Sequence, residues 1–175
     1  MKKLLRRPLG WALALLLTVA LAAGLCWFQP WKLIVDTEVR EALPQADAAP
    51  TPDAGNQLLA AGTFITHEHE TTGEVRVVRL ADGRRQLLIA DLSTSNGPDL
   101  RVWLSDQPVR PGVAGWRVFD DGEWVELGKL KGNRGDQIYP IPPSVDLDEL
   151  PSVSIWCRRF SVSFGAAALT PRGAG

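Results

Sequence analysis

The sequence predicts an all-β body, an antiparallel sandwich of about eight short strands, set behind one apolar N-terminal segment and a flexible tether. Three observations predict it. Short apolar runs with strand-like alternation recur from Leu58 to Leu169, separated by turn residues. Asp82-Gly83 stands between two of those runs, and Asp-Gly is a strong hairpin signal because the turn requires positive φ. No amphipathic helical stretch of useful length occurs in the body.

Residues Pro8–Trp31 carry no charge, and Leu9–Phe28 is an apolar run of the length that spans a bilayer core. Residues 1–7 are basic, with Lys2, Lys3, Arg6 and Arg7 and no acid. That bias predicts a cytoplasmic N-terminus, a transmembrane anchor over 8–31, and an extracytoplasmic body at the cell membrane. Trp27, Phe28 and Trp31 fit an interfacial aromatic belt. The competing reading is a cleaved signal peptide with Ala20-Leu21-Ala22 at its end, but the apolar run continues past that site. Cys26 follows Ala23-Gly24-Leu25; Leu25 is the wrong type for a lipidated cysteine, so Cys26 reads as an ordinary apolar residue.

Residues 32–57 read as a tether. Its first part, KLIVDTEVREAL, fits one more helical turn; PQADAAPTPDAGNQ has nothing to bury and stays extended. The body occupies 58–170, with a tail at 171–175. Leu59–Thr66 is the first strand candidate, and Glu74–Leu80 and Arg84–Leu92 flank the Asp-Gly turn. QLLIADL is apolar on both faces, as in a central strand. In Asp99–Ser105, Leu100, Val102 and Leu104 share one face and Arg101 and Trp103 the other. Gln107–Asp121 is a Pro- and Gly-containing loop with one short strand at Trp116–Phe119. Trp124–Leu127 and Gln137–Ile141 follow.

Two strands close the body within Ser152–Leu169. Val153, Ile155 and Cys157 share one parity, and Ser152, Ser154, Trp156 and Arg158 the other, so Cys157 is expected to point inward. The parity slips before Phe160, which a bulge or tight turn at Arg158–Arg159 absorbs.

Of the 19 basic residues four precede the apolar run, leaving 15 against all 20 acidic residues. A body of that balance lacks the basic face that nucleic acid requires. Two cysteines, one of them in the apolar segment, make no disulfide framework. Nucleophile-elbow, P-loop and HExxH patterns are absent, so a hydrolase is not indicated.

Several motifs stand together in a specific order. They are Gly62-Thr63-Phe64 with His69 and Gly73, Asn96-Gly97-Pro98-Asp99-Leu100, and Val102-Trp103-Leu104-Ser105. Leu127-Gly128-Lys129-Leu130-Lys131-Gly132 and Gly135-Asp136-Gln137 with Tyr139, Ile141 and Pro142 come next, and then Ser154-Ile155-Trp156-Cys157 with Phe160 and Phe164-Gly165. In these the body resembles the DM-thirteen domain, also called the electron-transfer DM domain, in its membrane-anchored bacterial form. The resemblance covers essentially the whole body. It implies a β-sandwich related to DOMON-type domains and a redox role for Cys157; if redox-active, the chain is expected to be an accessory to a redox partner protein rather than an enzyme.

The candidate residues carry two readings each. Cys157 is a redox thiol favoured by Arg158-Arg159 beside it, or a structural cysteine packed beside Val153 and Ile155. A lone thiol needs a second molecule or a cofactor to cycle. His67 and His69 stand at i and i+2, which on a strand is one face and a metal or haem-iron site; the other reading is a solvated edge with His69 bonded near Gly73. No third ligand is visible, and no cofactor is required by the sequence. Trp103, Trp116, Trp124 and Trp156 line a binding surface or fill the sandwich and its rims. The overall expectation is an anchored electron-transfer domain acting through Cys157, or a non-catalytic binding or adhesion module with a structural cysteine.

Overall fold

The computed structural model describes residues 8–45 and 55–172. The expected cytoplasmic segment 1–7, residues 46–54 of the tether and residues 173–175 of the tail lie outside the described residues.

Helix α1 spans Pro8–Phe28. Its 21 residues rise about 30 Å at 1.5 Å each, and it is long and apolar enough to cross a membrane. None of its most apolar window is buried against the rest of the chain. The eleven strands that follow are β1 (Glu38–Arg40), β2 (Gln57–Thr63), β3 (Ile65–Thr66), β4 (Thr72–Arg79), β5 (Arg85–Ser93), β6 (Leu100–Ser105), β7 (Trp124–Lys129), β8 (Arg134–Ile141), β9 (Ser152–Cys157), β10 (Val162–Ala168) and β11 (Thr170–Pro171).

They form two sheets, ordered β1-β8-β5-β4-β2-β11 and β3-β10-β9-β6-β7. Every pairing is antiparallel except that of β1 with β8. The expected sandwich is therefore present. The strands of six residues or more number eight; β1, β3 and β11, at sheet edges, are too short to show periodicity. One apolar cluster fills the space between the sheets. Val75, Val77, Leu87 and Ile89 enter it from the first sheet, and Val102, Leu104, Val153 and Ile155 from the second. Each such side chain contributes about 1.5–3 kcal/mol relative to exposure.

The Asp82-Gly83 turn joins β4 to β5 as expected, with Gly83 at φ 84° and Asp82 Oδ1 accepting from the Arg84 amide at 3.0 Å. The run read as one strand over Leu59–Thr66 changes sheets at Phe64, which inserts into the core. Trp116–Phe119 is not a strand. A 3₁₀ turn at Gly112–Gly115, after Pro111, leads into turns there, because the segment folds over the outer face of the second sheet and has no edge to pair with.

The tether expectation also needs correction over its first part. Glu38–Arg40 pairs with Arg134–Asp136, and side-chain hydrogen bonds from residues flanking the two strands fix it there. Asn133 Oδ1 accepts from the Thr37 amide at 2.7 Å, Glu41 Oε2 accepts from the Ile138 amide at 2.6 Å, and Lys131 Nζ meets the Glu41 carboxylate at 2.8 Å. Gly132 and Gly135 make room: a Cβ on Gly135 would lie 2.0 Å from the Val39 carbonyl oxygen. The tail expectation fails at its first residues, since Pro171 lies in β11, which pairs with β2, and the Arg172 amide donates to the Leu59 carbonyl.

Candidate functional site

Cys157 is the last residue of β9. Its cross-strand partners are Leu100 on β6 and Val162 on β10. The thiol points inward with Val153 and Ile155, as the parity predicts, and has no exposed surface. The slip in parity is a tight turn over Arg158–Ser161: the Phe160 amide donates to the Cys157 carbonyl at 3.2 Å, and Ser161 takes φ 48°. Burial pushes the Cys157 thiol up, against the pull of the Phe160, Arg159 and Asp99 backbone amides; the Asp99 carboxylate adds to the rise. Arg158 and Arg159 are directed away from the sulfur. Arg158 is exposed, and Arg159 donates to the Trp27 carbonyl and lies 5.2 Å over the Trp27 ring. The feature expected to favour a thiolate instead secures the end of α1, where Phe28 also stacks on Phe160 at 5.8 Å.

Between that helix end and the sandwich lies a cleft of about 490 Å³. Phe28, Trp116, Phe160, Val162 and Phe164 give it apolar walls, and His69 lies on its rim. Val162, directly opposite Cys157 in the hairpin, is part of its wall. Trp116 carries the one buried side-chain nitrogen among the described residues without a hydrogen-bond partner, Nε1.

The structure does not bring His67 and His69 together. Residues 67–69 form a bend rather than a strand, so the shared face expected of i and i+2 does not exist. His67 is buried, its Nδ1 2.9 Å from Ser163 Oγ and its Nε2 3.0 Å from the Arg110 carbonyl oxygen. A carbonyl only accepts, so Nε2 carries the proton and Nδ1 accepts from Ser163. Burial lowers the His67 pKa. His69 packs against Phe164 with centroids 4.0 Å apart and the rings tilted by 47°, and it pairs with Glu68 at 2.6 Å. No group of three metal-binding side chains forms among the described residues.

The outer face of the second sheet, which the parity leaves to Ser152, Ser154 and Trp156, is also buried. The Gln107–Asp121 segment covers it, held by hydroxyl bonds: Ser152 Oγ donates to the Ser105 and Gln107 carbonyls, and Ser105 Oγ to the Phe119 carbonyl. Three indoles are stacked there. Trp124 lies on Trp103 with centroids 3.9 Å apart and 3° between planes, and Trp103 lies 5.2 Å from Trp156. Glu126 accepts from Trp103 Nε1 at 3.3 Å and from Arg101 at 2.7 Å, and Arg101 also grips Asp99. The sequence places Arg101 and Trp103 on one face. It does not show the β6–β7 register, shifted by a bulge at Val102/Trp103, that brings Trp124 and Glu126 onto them.

A family model described as Electron transfer DM13 matches residues 63–169, more than half of the chain. No curated protein and no solved structure matches it.

Proposed function

The chain belongs to the electron transfer DM13 family, and we propose that it is an accessory electron-transfer domain held at a membrane surface by α1, with Cys157 as its redox group. The basic residues before α1 support the reading of a cytoplasmic N-terminus with the sandwich outside. The observation that carries the thiol reading is the place of Cys157: it closes β9 at a hairpin whose opposite residue, Val162, walls the cleft. For the sulfur to react, the end of the β9–β10 hairpin has to open, and turns open locally at less cost than strand centres. The exposed thiol then loses its proton to solvent. The thiolate attacks a disulfide of the partner, a Cys157–partner S–S bond forms, and the partner's second sulfur leaves as thiolate with the electron pair. One small-molecule thiolate attacks the Cys157 sulfur of the mixed disulfide, and the partner's first sulfur leaves as thiolate, so the partner is fully reduced; a second thiolate then displaces Cys157 and closes a small-molecule disulfide. Two electrons thereby pass from two thiols to the partner.

A second reading is favoured by one specific observation. The sulfur has no exposed surface and its pKa is raised, which are the marks of an inert structural cysteine in a binding module. Thiol labelling of the native full chain in detergent separates the two, with Cys157→Ser correcting for Cys26. Under the redox reading Cys157 is modified under native conditions at a rate limited by hairpin opening, and a mixed disulfide with a small disulfide reagent is trapped. Modification only above the unfolding midpoint of denaturant establishes the structural reading.

A further inference from the structure

The stacked indoles on the outer face form a graded path from solvent inward. Trp124 is 43% exposed, Trp103 3% and Trp156 1%. Successive rings lie in van der Waals contact range, 3.9 and then 5.2 Å between centroids. Indole is, with phenol and thiol, among the side chains that give up a single electron most readily, and contact between π faces gives strong electronic overlap. The inner end is Trp156, the residue before Cys157 in β9.

Stacking alone adds packing stability. The central ring also has a base beside it, where burial asks only for some acceptor. Trp103 Nε1 donates to Glu126 Oε2, and Glu126 is held in place by Arg101, itself paired with Asp99. An oxidised indole is a far stronger acid than indole, so a carboxylate hydrogen-bonded to its N–H takes the proton as the electron leaves.

We propose that Trp124, Trp103 and Trp156 are a one-electron relay, with Trp124 as its port for a partner's metal or flavin centre and Glu126 as proton acceptor. This rests on the electron-transfer reading of the domain, and not on the reactivity of Cys157. The oxidised centre takes one electron from Trp124 and is reduced by one. An electron from Trp103 fills the vacancy at Trp124. The Trp103 N–H bond breaks, its proton passing to Glu126 Oε2, which leaves a neutral Trp103 radical beside a protonated carboxyl. Exchange of an electron with Trp156 carries the oxidation inward as Glu126 Oε2 returns the proton to Trp103 Nε1, leaving Trp103 neutral and intact and Trp156 as a radical cation. From the Trp103 radical state, an electron returned at Trp124 by a reduced metal or flavin centre passes to Trp103, and Glu126 returns the proton in the same step.

The test attaches a photo-oxidant metal complex to the imidazole introduced by Glu123→His, beside Trp124, in the full chain. Unsubstituted chain, treated alike, corrects for labelling at His69. Flash oxidation gives a visible spectrum of neutral tryptophan radical that is long-lived. Trp124→Phe lowers its yield several-fold. Trp103→Phe confines the oxidation to Trp124 and shortens its lifetime several-fold, and Glu126→Gln changes the spectrum to that of the radical cation. Equal yields, lifetimes and spectra across these proteins overturn the relay. If Trp103→Phe does not fold, the Trp124→Phe and Glu126→Gln comparisons decide. Because no thiol reaction is read, an unreactive Cys157 overturns the thiol reading and leaves the relay standing, while equal flash results overturn the relay alone.

Discussion

His67 Nδ1 accepts a hydrogen bond from Ser163 Oγ at 2.9 Å, while its Nε2 donates to the Arg110 carbonyl at 3.0 Å. One neutral imidazole therefore ties the sheet to the segment that covers it. Ser154 Oγ also donates to Ser163 Oγ, at 3.0 Å, so the ring ends a buried chain of hydroxyls.

This geometry makes stability depend on pH. Burial lowers the His67 pKa in the folded protein, so the unfolded chain binds the proton more tightly. The contribution of His67 is complete above its unfolded pKa, near 6.5, and is lost as the pH falls from there through the folded value. Urea midpoints measured between pH 8 and pH 5 should fall in wild type and fall less in His67→Ala. That variant should be less stable at pH 8 by about 2 kcal/mol, the order expected when buried partners are left unpaired. Parallel pH curves for the two proteins would contradict the assignment.

Tyr139 offers a second titration, read without interference because it is the chain's single tyrosine. Its hydroxyl donates to Gln137 Oε1 at 2.7 Å, and burial pushes its pKa up to about 12. Phenolate absorbance should therefore appear about two pH units later in the folded protein than in denaturant. Folding then favours the neutral phenol. The stabilisation is full below the unfolded pKa near 10 and disappears as the pH rises through 12. Tyr139→Phe should cost about 1 kcal/mol at neutral pH, because Gln137 Oε1 keeps the Lys131 and Gly132 amides as donors. A folded-state midpoint near 10 would show the hydroxyl to be solvated.

The docking of β1 depends on Gly135, whose φ of 93° and contact with the Val39 carbonyl both exclude a side chain. Gly135→Ala should release Glu38–Arg40 while the sandwich stays folded. Trypsin, which needs an extended free segment, should cleave after Arg40 slowly in wild type and quickly in the variant. Equal cleavage in both proteins would mean that β1 is not held.

The sandwich was legible because its long strands bury one or both faces and so alternate or run apolar, as QLLIADL does. Cys157 was legible by parity alone, since a strand has only two faces. β1 was hidden because three residues, two of them charged, show no period; its binding partners lie almost a hundred residues later. Gly132 and Gly135 were the signal, but a GNRG run reads as a loop until a chain crosses it. The seeming strand at Trp116–Phe119 has strand-like residues that pack as a cover. His67 and His69 share no face because residues 67–69 form a bend, where the two-residue period of a strand does not hold. The indole stack depended on cross-strand register, which composition does not carry.

The docking of Glu38–Arg40 also limits how far the domain can stray. Between the end of α1 and that strand only Gln29–Thr37 intervenes, at most about 30 Å when fully drawn out. With α1 in a bilayer, the sandwich rides on a short leash against the lipid surface, with its hairpin end held at the helix by Arg159 and Phe160. Encounters with a partner embedded in the same bilayer then become a lateral search in two dimensions at raised effective concentration, while a freely diffusing partner has to find a target confined to the membrane surface.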